Sequence, residues 1–129
     1  MGHGSNVRGI TTEAIYDHKK SEFIINSPDK GSMKFWIGAA AQLATMSVIW
    51  AQLIVDGIKY GPHPFIVPIR DKKTHDPFPG VLIGDCGHKN GNNLIDNGFM
   101  MFDHYRIPKE YGLDRISGID KNGKFFAKL

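Results

Sequence analysis

His63-Pro64-Phe65-Ile66-Val67-Pro68-Ile69-Arg70-Asp71 and, a little further on, Pro79-Gly80-Val81-Leu82-Ile83-Gly84-Asp85-Cys86-Gly87-His88-Lys89-Asn90-Gly91 decide the fold class. Each contains a short apolar run, Phe65 to Ile69 and Val81 to Asp85, bounded by Gly, Pro or Asp. Such runs read as buried strands joined by turns. Working outward, Glu13 to Asp17 and Glu22 to Asn26 alternate apolar and polar residues around Lys19-Lys20, which predicts a β-hairpin. Met33 to Ile37 and Phe99 to Ile107 are further strand candidates. Asp120-Lys121-Asn122-Gly123-Lys124 carries an Asn-Gly pair, and both residues of such a pair tolerate the positive φ of a tight type I′ hairpin turn.

Ala39 to Ile54 reads two ways. Ala39-Ala40-Ala41-Gln42-Leu43-Ala44 has strong helix propensity. From Thr45 onward, Met46, Val48 and Trp50 alternate with Thr45, Ser47 and Ile49, which suits a strand buried on both faces. Gly and Pro punctuate the chain about every ten residues, and no long amphipathic segment is present. The expectation is an all-β domain over residues 1–129, a small antiparallel β-barrel or sandwich.

The 129 residues are enough for one domain with a real apolar core. Charged residues make up 22% and hydrophobic residues 41%, ordinary for a globular chain. The single cysteine, Cys86, excludes an internal disulfide, and no N-glycosylation acceptor occurs, which favours a reducing compartment. A net charge of +3 with scattered basic residues is no nucleic-acid stripe. The N-terminus is polar and glycine-rich, unlike a secretory signal. Ile37 to Val55 is interrupted by Gln42, Thr45, Ser47 and Gln52 and makes a poor membrane span.

Several residues invite chemical readings. Gly2-His3-Gly4-Ser5-Asn6 has the look of a phosphate-cradling loop without the Lys-Ser/Thr of a P-loop, and its bland reading is a fraying terminus. Trp36 reads by itself as a core aromatic. Cys86 and His88 supply two metal ligands where zinc needs three or four, so no metal is expected. Cys86 lacks an activating neighbour. His63 and Arg70 flank the Phe65–Ile69 strand where polar groups can reach ligand or solvent, with Arg70-Asp71 a local ion pair. Asp103-His104 and Arg106 read as a solvated strand end. No Ser-His-Asp set has an interpretable spacing.

Taken in order, Gly2-His3-Gly4-Ser5-Asn6, Lys34-Phe35-Trp36-Ile37-Gly38, the His63–Asp71 stretch, Gly84-Asp85-X-Gly87-X-Lys89 and Asp96-Asn97-Gly98 resemble the middle domain of the peroxisomal acyl-CoA oxidases, over nearly the whole chain. The resemblance implies a β domain whose flanking helical domains lie outside these residues, and it favours a short turn or single helical turn at Ala39–Ala44 followed by a strand. It implies FAD as cofactor, a fatty acyl-CoA as substrate, a homodimer when full length, and a peroxisomal location. In the oxidases, Thr-Glu-(Leu or Met)-Gly-His-Gly-(Ser or Thr)-Asn leads into the flavin and substrate cleft, and Met1 falls at the Leu/Met position. Ser5 would then lie near the CoA moiety. Lys-(aromatic)-Trp-X-Gly is matched with Phe35 for the commoner Trp and Ile37 for a common Pro. Gly38 falls at the family's main-chain flavin contact, with Trp36 the nearest aromatic.

The family's catalytic glutamate belongs to the C-terminal helical domain, and none of Glu13, Glu22 or Glu110 matches it. No catalytic residue is therefore expected here. Ala127-Lys128-Leu129 resembles a Ser-Lys-Leu peroxisomal address. An acyl-CoA dehydrogenase domain and a non-catalytic acyl-CoA-binding module are the alternative readings.

Overall fold

In the computed structural model, which describes residues 1–128, the chain is all-β with three single-turn 3-10 segments and no α-helix among the described residues. The Ala127-Lys128-Leu129 reading ends on Leu129, outside the described residues. Ten strands follow in order: β1 (Glu13–Asp17), β2 (Glu22–Asn26), β3 (Lys34–Gly38), β4 (Met46–Val55), β5 (Ile58–Pro68), β6 (Val81–Asp85), β7 (Asn97–Phe102), β8 (Tyr105–Pro108), β9 (Ser117–Ile119) and β10 (Phe125–Ala127). They form a five-stranded sheet ordered β5-β4-β1-β2-β8, a three-stranded sheet ordered β3-β7-β6, and the β9–β10 pair. The sheets stay open and do not close into a barrel. One pairing, β1 with β4, is parallel, and the rest are antiparallel.

Alternation builds the core. Ala14 and Tyr16 of β1, Phe23 and Ile25 of β2, and Leu53 and Phe65 of β4 and β5 turn inward from the large sheet. Met100 and Phe102 of β7 and Val81 of β6 meet them from the smaller one. Period-two burial on each strand requires this, because successive side chains point to opposite faces.

The hairpin turns separate by geometry. Asp56 and Gly57 both have positive φ, 50° and 78°, and close β4 onto β5 as a two-residue turn of type I′ form. At Asn122-Gly123 only Gly123 is left-handed. Asp120 pairs with Lys124, and its carboxylate accepts from Asn122 N and Lys124 N, each at 2.8 Å. The aspartate widens the loop to three residues, so the tight two-residue turn expected there does not form.

Ala39–Ala44 forms the short turn that the resemblance implies ahead of a strand, with Leu43 N and Ala44 N both donating to Ala39 O. Two other expectations are corrected. β4 is buried on both faces only near its end: Met46, Val48 and Trp50 are exposed while Ile49, Ala51 and Leu53 are covered. The Phe99–Ile107 run is two strands, split at the exposed Asp103-His104 turn, where His104 has φ 48°.

Candidate functional site

Phe35 and Trp36 of β3 and Trp50 of β4 are exposed large aromatics, with Met46 and Val48 of β4 exposed beside Trp50 on the same strand face. β3 should alternate inside and outside, but its register with β7 slips between Lys34 and Ile37. The slip is a bulge. It leaves Phe35 and Trp36 both exposed, at 45% and 54%, with their rings stacked at 8° and centroids 5.9 Å apart. Trp36 has φ 68°, a left-handed conformation that a bulky residue adopts at a cost on the order of 1–3 kcal/mol. Bulges of this kind re-aim side chains and collect at functional edges. Lys89 Nζ lies 5.6 Å from the Trp36 ring centroid, a cation–π contact from the β6–β7 loop.

Beside this edge is an open cleft of about 440 Å³. The N-terminal turn supplies Met1, His3 and Gly4, β3 supplies Lys34, Phe35 and Ile37, and β4 supplies Val48 and Trp50. Gly2 N donates to Gly31 O at 2.7 Å and ties that turn against the segment leading into β3. Ser5 is exposed just beyond the cleft wall, next to Gly4. Trp36 and Gly38 flank the cleft on β3 and do not themselves line it. His3 Nδ1 is buried with no hydrogen-bond partner among the described residues.

Gly38 is exposed, its φ is not left-handed, and a Cβ built on it meets nothing within 4 Å. No contact inside this chain demands glycine there. The exposed Phe35 and Trp36 rings present a flat apolar surface, suited to contact with another flat apolar group.

Lys34 was not anticipated from the sequence as more than a motif residue. Its Nζ donates to Trp50 O at 2.6 Å and bridges the gap between the two sheets at the cleft floor. Burial lowers its ammonium to about 8 from the ordinary 10.5. The folded state thus binds fewer protons than the unfolded one between those values. The penalty is fully present below pH 8 and is relieved as pH rises through the window. Urea unfolding of the wild type should gain stability from pH 8 to 10.5 relative to Lys34→Met, whose profile lacks that rise. Parallel profiles would remove the assignment.

The remaining candidates have structural places. Arg70 is buried and makes no pair with Asp71; it donates to Ala44 O at 2.9 Å and Ala41 O at 2.7 Å. His63 is buried between Gly61 O, 3.0 Å from Nδ1, and Ser117 Oγ, 2.9 Å from Nε2. The carbonyl can only accept, so Nδ1 carries the proton and Nε2 accepts from the serine. Arg106 bridges Asp17 and Glu22 on the outer face, at 2.9 and 3.0 Å, and holds the Asp17 carboxyl below its usual range. Cys86 is a free thiol in the turn after β6. Among the described residues no group of three His, Cys, Asp or Glu is placed to hold a metal, and no helix is long and apolar enough to cross a membrane.

These features define an all-β domain with an exposed aromatic wall. The chain is 47% identical over 130 residues to a putative peroxisomal acyl-coenzyme A oxidase 1.2 of Arabidopsis thaliana, covering 98% of this chain and 20% of that protein. It is 47% identical over 131 residues to peroxisomal acyl-coenzyme A oxidase 1 of Dictyostelium discoideum, covering 97% and 19%. The structure of acyl-CoA oxidase-1 of Caenorhabditis elegans complexed with FAD and ATP superposes with a TM-score of 0.95 at 39% identity, over 99% of this chain and 20% of that one. No family profile matches the chain. Over nearly its whole length the chain matches a segment of peroxisomal acyl-CoA oxidases, and it spans about a fifth of the length of the relatives it matches.

Proposed function

We propose that this chain is the flavin- and substrate-facing β domain of a peroxisomal acyl-CoA oxidase. The observation that carries the reading is the whole-chain likeness to acyl-CoA oxidases, one of them a complex with FAD. The exposed Phe35-Trp36 pair and the uncrowded Gly38 support it. With FAD bound, the cofactor would accept the β-hydrogen of a fatty acyl-CoA as hydride while a base removes the α-proton, giving the trans-2-enoyl-CoA, and O2 would take the electrons to form hydrogen peroxide.

The part assigned to these residues is binding and orientation. Phe35 and Trp36 provide a flat apolar surface, and Gly38 lets the main chain approach a ring without a Cβ between. The Ser5 hydroxyl, exposed beside the cleft, is suited to donate to or accept from the CoA moiety. No glutamate here is offered as the base: Glu22 is paired with Arg106, and Glu110 is exposed in a 3-10 turn. The base would come from the helical part of the full-length enzyme, and the same reading makes that enzyme a homodimer.

The full-length protein carrying this segment should purify yellow. In air, with no added acceptor, it should form hydrogen peroxide from a fatty acyl-CoA. The 129-residue chain alone should be colourless and inactive, because most of a ligand's surface must be buried for tight binding. Turnover only with an electron-transferring flavoprotein or a dye would move the assignment to a dehydrogenase. No turnover with any acceptor would favour a binding module.

A further inference from the structure

Directly after Gly38 the chain enters a short turn, Ala39–Ala44, whose backbone is tied down by charged groups from two distant segments. The Asp96 carboxylate accepts from Ala41 N, Gln42 N and Leu43 N, each at 3.0 Å. Its main-chain carbonyl accepts from Ala39 N at 2.8 Å. At the opposite end, the buried Arg70 guanidinium donates to Ala41 O and Ala44 O, and His75 Nε2 donates to Gln42 O. A negative charge thus sits on amides of the turn, the Leu43 N–H being shared with Ala39 O, and a positive one on its carbonyls. Both complement the peptide dipoles. Between them Ala39 is held at φ 61°, left-handed without being glycine. Such strain persists only where the surroundings over-determine it.

We propose that Asp96 and Arg70 are positioning residues that fix the main chain at Gly38, just past the exposed Phe35-Trp36 pair, for the flavin. The inference rests on the flavin reading given above. Neither residue reaches that surface. They act through the turn: with its amides and carbonyls engaged, the strand end at Gly38 has a single position and offers an open face without reorganising. Holding a binding group in place before the ligand arrives is what such clamps contribute to affinity.

The test uses the full-length protein with Asp96→Ala, Asp96→Asn and Arg70→Lys. Three readouts are taken: FAD affinity by titration of the apoprotein, the visible circular dichroism of bound flavin, and deuterium uptake of the peptide covering 38–45. Asp96→Ala should raise uptake in that peptide while the β1–β2 hairpin stays protected. It should weaken FAD binding by about ten- to hundredfold, the usual scale for a displaced binding group, and alter the flavin dichroism. Asp96→Asn keeps one acceptor oxygen and Arg70→Lys keeps the charge but not the fork, so both should fall between. If Asp96→Ala does not fold, these two variants decide the matter. Loss of protection in 38–45 with wild-type FAD affinity and spectrum would overturn the proposal and leave the clamp purely structural. Wild-type protein that takes up no FAD would overturn the flavin reading itself and this proposal with it. Wild-type affinity and unchanged uptake in all variants would overturn the clamp alone.

Discussion

Gly38→Val should weaken FAD retention in the full-length protein by about ten- to hundredfold, the effect of forcing a branched side chain into a filled contact at roughly 1–3 kcal/mol. The same substitution should leave the stability of the β domain unchanged or slightly raised. A Cβ at Gly38 meets nothing within 4 Å inside the chain, and a β-branched residue suits an extended strand better than glycine does. Cys86→Ser, in the turn after β6 and separated from Gly38 by Asn97 of β7, is the control and should alter neither property. Flavin content after gel filtration and melting temperature, measured on both variants, separate the causes. Equal losses tracking melting temperature would mean that Gly38 is a stability position and that the ring-facing role is wrong.

The opposite result is expected one pairing away, at Gly98→Ala. Gly98 lies opposite Ile37 in the β3–β7 register, and its missing Cβ faces inward. A methyl group there would sit 2.6 Å from Ala41 N and 2.9 Å from Ala40 C. Those are backbone atoms of the Asp96–Arg70 turn, so no side chain can swing aside to make room. The strand or the turn must move, at a cost of about 1–3 kcal/mol or more. Urea unfolding of the variant should show a midpoint lowered accordingly, with increased exchange of the Ala41–Leu43 amides as the turn is pushed off Asp96. An unchanged midpoint would mean that β7 and the turn are not packed as described. Two glycines on neighbouring strands are thus expected to fail in different currencies, one in ligand binding and one in folding.

How far the residues announced this arrangement differs from element to element. Val81–Asp85 and the Glu13–Asn26 hairpin were legible to the residue, because alternation and local turn chemistry are carried by adjacent positions. The Asp56-Gly57 signature was equally local and was overlooked beside Asn122-Gly123, the pair that Asp120 draws into a wider loop. The breadth of the β4 reading failed for a physical reason. Met46, Val48 and Trp50 are apolar enough for an interior, but no segment among the described residues covers that face, so apolar alternation alone overstated the burial.

Alternation and turn residues were sufficient for β1, β2 and β6, since each depends on residues a few positions apart, and the ordered motifs carried the likeness to an oxidase segment. The site needed the folded chain. The bulge that turns both Phe35 and Trp36 outward comes from a register slip against β7, and the burial of Arg70 comes from a turn some thirty residues earlier in the sequence. Asp96 enters the sequence reading only through the Asp96-Asn97-Gly98 motif, while in the fold its carboxylate accepts from the amides at positions 41 to 43. These are contacts between segments far apart in the chain. Their energies depend on distance and burial in three dimensions, and neither quantity is encoded in local periodicity.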